Sequence, residues 1–184
     1  MVRQILFVQG AGEGVHDHWD NKLVASLERE LGERYAVRYP RMPGEEDPRY
    51  AAWRAALVRE FDSLEDGAIL VGHSVGGTVL LHVLAEQPPR FRPGGLFVLA
   101  APFIGEGGWP SEDIAERKDF AGRLPHGVPI CLYHGDDDDV VPTAHVQRYA
   151  EAIPLAVVRT LERRDHQLND DMRDVARDIR SMVE

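Results

Sequence analysis

The chain has 184 residues, of which 43% are apolar and 28% charged, a balance typical of one soluble globular domain with a sizeable core. Its net charge of −10 argues against a nucleic acid or an anionic membrane surface as a partner, because both require a basic face. No apolar run approaches the roughly 20 residues of a membrane span. A single cysteine, Cys131, excludes an internal disulfide and a multi-cysteine metal site. We therefore expect one domain over residues 1–184, without a signal peptide and located in the cytoplasm.

Six short apolar segments alternate with helical patterns along the chain. The predicted strands cover residues 5–8, 35–39, 68–71, 95–100, 129–133 and 155–158. Strands that alternate with helices form a parallel sheet with helices on both faces. The expected fold is therefore α/β, a three-layer sandwich around a mostly parallel six-stranded sheet.

Two of the predicted helices have a clear apolar face at helical spacing. The face of the first consists of Trp19, Leu23, Val24, Leu27 and Leu31. The face of the last consists of Met172, Val175, Ile179 and Met182. We expect both faces to pack against the sheet.

The most informative stretch is Gly-x-Ser-x-Gly, residues 72–76, which follows an apolar strand pattern and precedes a helical one. A tight strand-to-helix turn needs small flanking residues and holds the hydroxyl of Ser74 out at the carboxyl end of the strand. The backbone N–H of Val75 then lies at a helix start, where it is free to bind negative charge. The alternative is a glycine-rich turn with only a structural role.

A serine hydroxyl needs a base within hydrogen-bond reach, and that base needs a third group to orient it. Four aspartates, residues 136–139, follow the fifth strand, and His166 follows the sixth. The carboxyl ends of parallel strands meet at one edge of a sheet, so Ser74, an aspartate and His166 are expected together there. Of the other histidines, His73 is expected beside the serine and His82 at the rim of the following helix.

The order serine, aspartate, histidine is that of the α/β-hydrolases. Residues 72–76, 135–142 and 165–166 resemble this superfamily, and more narrowly its small serine hydrolases with a minimal lid that are related to retinoblastoma-binding protein. The resemblance covers essentially the whole chain. It implies the α/β-hydrolase fold without the first antiparallel strands of the superfamily.

The resemblance also implies roles for individual residues. The acid loop of the superfamily often reads Gly-x-x-Asp-x-x-Val-Pro, and this spacing selects Asp138 here. Because four aspartates are consecutive, Asp137 stays open as a second choice, ahead of Asp136 and Asp139.

The resemblance places the second oxyanion donor in the loop after the first strand. This loop reads Gln9-Gly10-Ala11-Gly12, so the N–H of Ala11 is expected to join that of Val75, with Gly12 as the alternative. Gln9 stands where the superfamily often has histidine, which leaves the anchoring of the loop open.

The expected function is serine-dependent hydrolysis of a carboxylic ester through an acyl-enzyme, with amide or thioester hydrolysis as alternatives. No cofactor or metal is implied; glycines 10, 12 and 14 match a dinucleotide fingerprint only weakly. The expected partner is a small-molecule acyl substrate, and no feature of the sequence indicates a protein partner. Residues 102–127 are the only segment long enough for a partial lid, with Phe103, Ile104 and Trp109 as candidate acyl-pocket residues. The alternative from another class is a protein-binding module that keeps the fold with little turnover.

Overall fold

A computed structural model describes the backbone of residues 2–183 and the side chains of residues 2–181. One sheet is formed by β1 (Arg3–Val8), β2 (Tyr35–Arg38), β3 (Ile69–His73), β4 (Gly95–Leu99), β5 (Ile130–Gly135) and β6 (Val157–Leu161). The strand order is β2-β1-β3-β4-β5-β6, and every neighbouring pair is parallel. The α/β fold expected from the sequence is confirmed.

Helices cover both faces of the sheet. They are α1 (Asp20–Leu31), α2 (Tyr50–Phe61), α3 (Val75–Glu86), α4 (Phe120–Arg123), α5 (Ala144–Ala152) and α6 (Arg173–Val183). A π-helical turn (Val15–Trp19) precedes α1, and a 3₁₀ turn (Leu168–Asp170) precedes α6. Within the described residues, no helix is long and apolar enough to cross a membrane.

The two apolar layers follow from the alternation of side chains along the strands. In β1, Leu6 and Val8 belong to the layer under α2, α3 and α5, whereas Ile5 and Phe7 belong to the layer under α1 and α6. A strand with both faces covered reads as a continuous apolar run, and residues 5–8 are fully buried. Met172 directly before α6 and Val175 and Ile179 within it pack on the sheet as expected. Met182 lies outside the residues whose side chains are described.

The edge strand β6 differs from its predicted position. It begins at Val157, two residues later than expected, and ends at Leu161, three residues later, and Leu155 precedes it with 94% of its surface exposed. An edge strand pairs on one side only, and the residues of β6 are at most half-buried. The apolar run at residues 155–158 therefore does not mark a buried strand.

The order of the strands creates the cleft that contains the candidate site. From β1 the chain first adds β2 on one side and later β3 on the other, so the loops that follow β1 and β3 leave the sheet in different directions. In α/β sheets, ligands bind at such a switch point, beyond the carboxyl ends of the strands. Val8 pairs with Gly72, which brings Gly10 and Ser74 next to each other.

The segment 102–127 lies against the core. Its apolar side chains Phe103, Ile104, Phe120 and Leu124 are buried, and Ile104 forms a short bridge with Trp109. Within the described residues, no lid covers Ser74.

Candidate active site

The turn between β3 and α3 is strained at its serine. Ser74 has φ 51° and ψ −128°, a left-handed conformation that side chains rarely adopt. A Cβ at Gly76 would overlap the carbonyl oxygen of Gln9, and one at Gly72 would lie 2.6 Å from the Cα of Gly77. The small residues are required because the start of α3 packs directly on the ends of β1 and β3.

Ser74, His166 and Asp138 form a continuous chain of hydrogen bonds. His166 Nδ1–H donates to Asp138 Oδ2 over 2.9 Å, and the Ser74 hydroxyl donates to His166 Nε2 over 3.0 Å. A carboxylate only accepts hydrogen bonds, so the proton of the neutral His166 ring lies on Nδ1. The lone pair of Nε2 then faces the hydroxyl of Ser74. This is the arrangement in which an imidazole can accept a proton from a hydroxyl.

The carboxylate of Asp138 is fully buried and accepts three hydrogen bonds. Its Oδ1 accepts the N–H groups of Val140 (2.9 Å) and Val141 (2.8 Å), and its Oδ2 accepts the bond from His166. His134 Nε2 lies 3.3 Å from Oδ2 and donates its hydrogen bond to the carbonyl of Val141 over 2.7 Å. Burial alone would raise the pKa of Asp138. The contacts with His134 and His166 and the N–H of Val141 lower it by a larger amount, so the pKa lies well below its usual value. Asp138 therefore stays ionised beside His166.

The other three aspartates of the run do not reach His166. Asp136 accepts a hydrogen bond from the backbone of Arg163, and all three are exposed. The geometry therefore places Asp138, and not Asp137, against the imidazole.

The two expected oxyanion donors lie in the loop after β1 and at the first residue of α3. Among the described residues, the N–H groups of Ala11 and Val75 have no hydrogen-bond partner. The N–H of Gly12 donates to the carbonyl of Glu45 over 2.6 Å, so the alternative donor is occupied.

The loop of Ala11 is anchored by a buried pair that the sequence did not reveal. Gln9 donates through Nε2 to Glu45 Oε2 (2.6 Å) and accepts the N–H of Met42 (2.9 Å). Glu45 also accepts the N–H groups of Gly14 (3.1 Å) and His16 (3.0 Å). Gln9, which stands where the superfamily often has histidine, thus anchors this loop.

One histidine lies differently from its predicted position. His82, expected at a rim, is buried between the rings of Tyr50 and Phe120, where burial and the charge of Arg117 lower its pKa to about 4. It falls on the side of α3 that packs under the segment 102–127. His73, expected beside the serine, is buried there and bonds to Asp20 and to the backbone of His166.

Asp20 is a second residue that the sequence analysis missed. It is fully buried, although it is charged. A signal was present, because Asp20, Leu23, Val24 and Leu27 occupy the positions i, i+3, i+4 and i+7 of one helix face. A carboxylate on an otherwise apolar face indicates a buried partner.

A cavity of about 320 Å³ opens over Ser74 and His166, and we call it the nucleophile cavity. Its apolar lining comes from Ala11, Val15, Trp19 and Val140. Trp19 was expected to pack on the sheet, but the π-helical turn ends at this residue and rotates it away from the buried face of α1. It is 52% exposed, and Val140 in the same cavity lining is 50% exposed.

A second cavity of about 270 Å³, the flanking cavity, is lined by Val75 and Thr78 at the start of α3. Ile104 and Trp109 line it together with Trp53, whereas Phe103 is buried against the ring of Tyr149. Two of the three candidate acyl-pocket residues are therefore near the elbow, and the third is in the core.

The model of the serine hydrolase family matches residues 5–171, which include the elbow, the acid loop and His166. The chain belongs to the serine hydrolase family. The α/β-hydrolase resemblance of the sequence is thereby confirmed. None of the curated protein sequences compared with this serine hydrolase matches it significantly.

Solved structures show the same fold. The ydeN gene product from B. subtilis superposes with a TM-score of 0.78 at 19% identity and covers 98% of both chains. The esterase domain of a Rhodothermus marinus protein has a TM-score of 0.67 at 20% identity, over 99% of this chain and 88% of that one. An α/β serine hydrolase without a lid from Xanthomonas campestris has a TM-score of 0.65 at 19% identity, over 100% of this chain and 82% of that one.

Proposed function

We propose that this serine hydrolase cleaves carboxylic esters of small, uncharged acyl groups, with Ser74 as nucleophile, His166 as base and Asp138 as orienting acid. The observation that carries this proposal is the hydrogen-bonded chain from Ser74 through His166 to the buried Asp138. Each bond has the length and the direction that proton transfer requires.

Acylation begins when Ser74 Oγ attacks the ester carbonyl carbon while its proton moves to His166 Nε2. The carbonyl electrons move to the oxygen, and the N–H groups of Val75 and Ala11 stabilise the negative charge that develops there. When the tetrahedral intermediate collapses, the bond to the leaving alkoxide breaks and His166 returns its proton to that oxygen. The product of this half-reaction is an acyl group on Ser74 and a free alcohol.

Deacylation repeats these steps with water. His166 removes a proton from a water molecule, the resulting hydroxide attacks the acyl carbon, and His166 then protonates Ser74 Oγ as the acid leaves. Asp138 stays ionised throughout and stabilises the imidazolium that forms in each half-reaction. These steps require no cofactor or metal.

The lining of the nucleophile cavity supports an uncharged, apolar substrate group. Trp19, Val15 and Val140 offer apolar contacts, and Asp139 and Asp165 lie at the same opening. Two carboxylates at the opening repel a substrate that carries its own carboxylate. An ester is favoured over an amide because an alkoxide is a better leaving group than an amine.

Hydrolysis of p-nitrophenyl acetate and p-nitrophenyl butyrate, with mass spectrometry of the quenched protein, tests the proposal. We expect turnover, a burst of p-nitrophenol and a mass increase of one acyl group on the peptide that contains Ser74. If the folded protein shows no turnover and no adduct, the proposal is contradicted. That result would favour a binding role for the fold.

Substitution of Trp19 tests the substrate contact. Trp19→Ala should lower kcat/KM for the butyrate about 5-fold more than for the acetate, because the longer chain reaches the apolar opening. Leu155→Ala is the matched control, since Leu155 is exposed outside the cavity. Equal losses on both esters would show that Trp19 does not contact the acyl chain.

A further inference from the structure

The carboxylate of Asp20 connects three loops of the active site. It is fully buried at the first residue of α1. Its Oδ2 accepts the N–H of Gly10 (2.7 Å), and its Oδ1 accepts the amide of Gln167 (3.1 Å). It also lies 2.9 Å from His73 Nδ1. One group thus contacts the loop of the Ala11 donor, the elbow and the loop of His166.

The hydrogen bonds of His73 bear on its protonation. Its Nε2 lies 2.9 Å from the carbonyl oxygen of His166, and a carbonyl only accepts, so Nε2 carries a proton. Its Nδ1 faces the carboxylate of Asp20, whose two oxygens also accept the N–H groups of Gly10 and Gln167. A doubly protonated His73 beside an ionised Asp20 satisfies all of these contacts.

The charges around His73 agree with this assignment. Burial lowers its pKa, but Asp20 from α1, the hydrogen bond to His166 and the charge of Asp138 from the loop after β5 raise it above the usual value. The ring of His166 lies 5.0 Å away, centroid to centroid. Two carboxylates and one carbonyl oxygen thus lie around His73, and the imidazole ring of His166 lies beside it.

A buried ion pair contributes little to stability compared with apolar side chains of the same size, because both charges lose their hydration. The position of this pair is therefore more informative than its energy. It lies beside the hydrogen-bonded chain of Ser74, His166 and Asp138 and touches the backbone of His166.

We propose that Asp20 and His73 form a permanent ion pair that positions the catalytic groups. Through His73, the pair fixes the backbone of His166 so that its ring meets both Ser74 and Asp138. Through Gly10, Asp20 fixes the adjoining N–H of Ala11 toward the oxyanion. Both are positioning residues, and this inference rests on the proposed function for its effect on catalysis.

Asp20→Asn tests the positioning role because it keeps the size of the side chain and removes its charge. We expect kcat for p-nitrophenyl acetate to fall about 10- to 100-fold, as for a small misplacement of reacting groups, while KM stays within about twofold. Asp178→Asn is the matched control. Asp178 is equally a buried carboxylate in an ion pair, with Arg159, but it lies on α6 away from the cleft. We expect this control to lower the melting temperature and keep kcat within about twofold of the wild type.

Nuclear magnetic resonance of ¹⁵N-histidine-labelled protein tests the ion pair in the wild type, even if Asp20→Asn does not fold. We expect both ring N–H groups of His73, assigned by their loss in His73→Gln, to persist at about pH 8, where an ordinary histidine is neutral. A single ring proton on His73 would overturn the ion pair, and wild-type kcat in a folded Asp20→Asn variant would overturn the positioning role. A wild type that hydrolyses no ester would contradict the proposed function and the positioning role together, while the resonances of His73 would still report on the pair.

Discussion

Asp138 has the same side chain as the three aspartates next to it and differs from them in its burial. Its side chain is fully buried between His134 and His166, whereas Asp137 is exposed. Asp138→Asn should lower kcat about 10³- to 10⁴-fold, because an amide no longer fixes the tautomer of His166. Asp137→Asn is the matched control and should keep wild-type kcat in the same ester assay. The reverse pattern would move the orienting acid by one residue.

The sequence predicts that Ser74, Asp138 and His166 lie together. Each of them follows a strand, and the carboxyl ends of parallel strands meet at one edge of the sheet. Their roles in catalysis stay a prediction. The support behind them was less accessible to sequence reasoning. His73 meets Asp20 across 53 positions, and Gln9 meets Glu45 across 36. Such pairs depend on the packing of distant loops, which no local spacing encodes.

At the scale of the element, α3 starts where it does because glycines let it approach β1. Gly76→Ala should destabilise the protein by about 3 kcal/mol, because the new Cβ overlaps the backbone of Gln9. Gly122→Ala in α4 is the matched control, since no atom lies within 4 Å of its Cβ position. Urea unfolding measures both variants. Equal midpoints for the two would show that the elbow can relax.

Three predicted positions were wrong for the same reason. Apolar or helical periodicity was the basis for placing β6, Trp19 and His82. Such periodicity reports on a segment of the chain and not on the elements that pack against it. β6 is an edge strand, Trp19 ends a π-helical turn, and the segment 102–127 covers His82. The interior strands β1, β3 and β4 were predicted within two residues because their burial on both faces leaves a continuous apolar signal.

At the scale of the whole molecule, buried carboxylates make stability depend on pH. The folded pKa of Asp138 lies below the unfolded value of about 3.9. Its contribution is therefore complete above that value and is lost as the pH falls below about 4 toward the folded pKa. The difference in unfolding free energy between the wild type and Asp138→Asn should shrink as the pH falls from about 5 to about 3. Urea unfolding at several pH values measures it, and a constant difference would contradict the assignment.

The central claim is that His166 activates Ser74, and labelling with a fluorophosphonate probe tests it most directly. The probe reacts with an activated serine and requires no knowledge of the substrate. We expect label on the peptide that contains Ser74, no label in Ser74→Ala and much slower labelling in His166→Ala. A folded wild-type protein that stays unlabelled would contradict the account. Equal labelling rates of the wild type and the His166→Ala variant would contradict it as well.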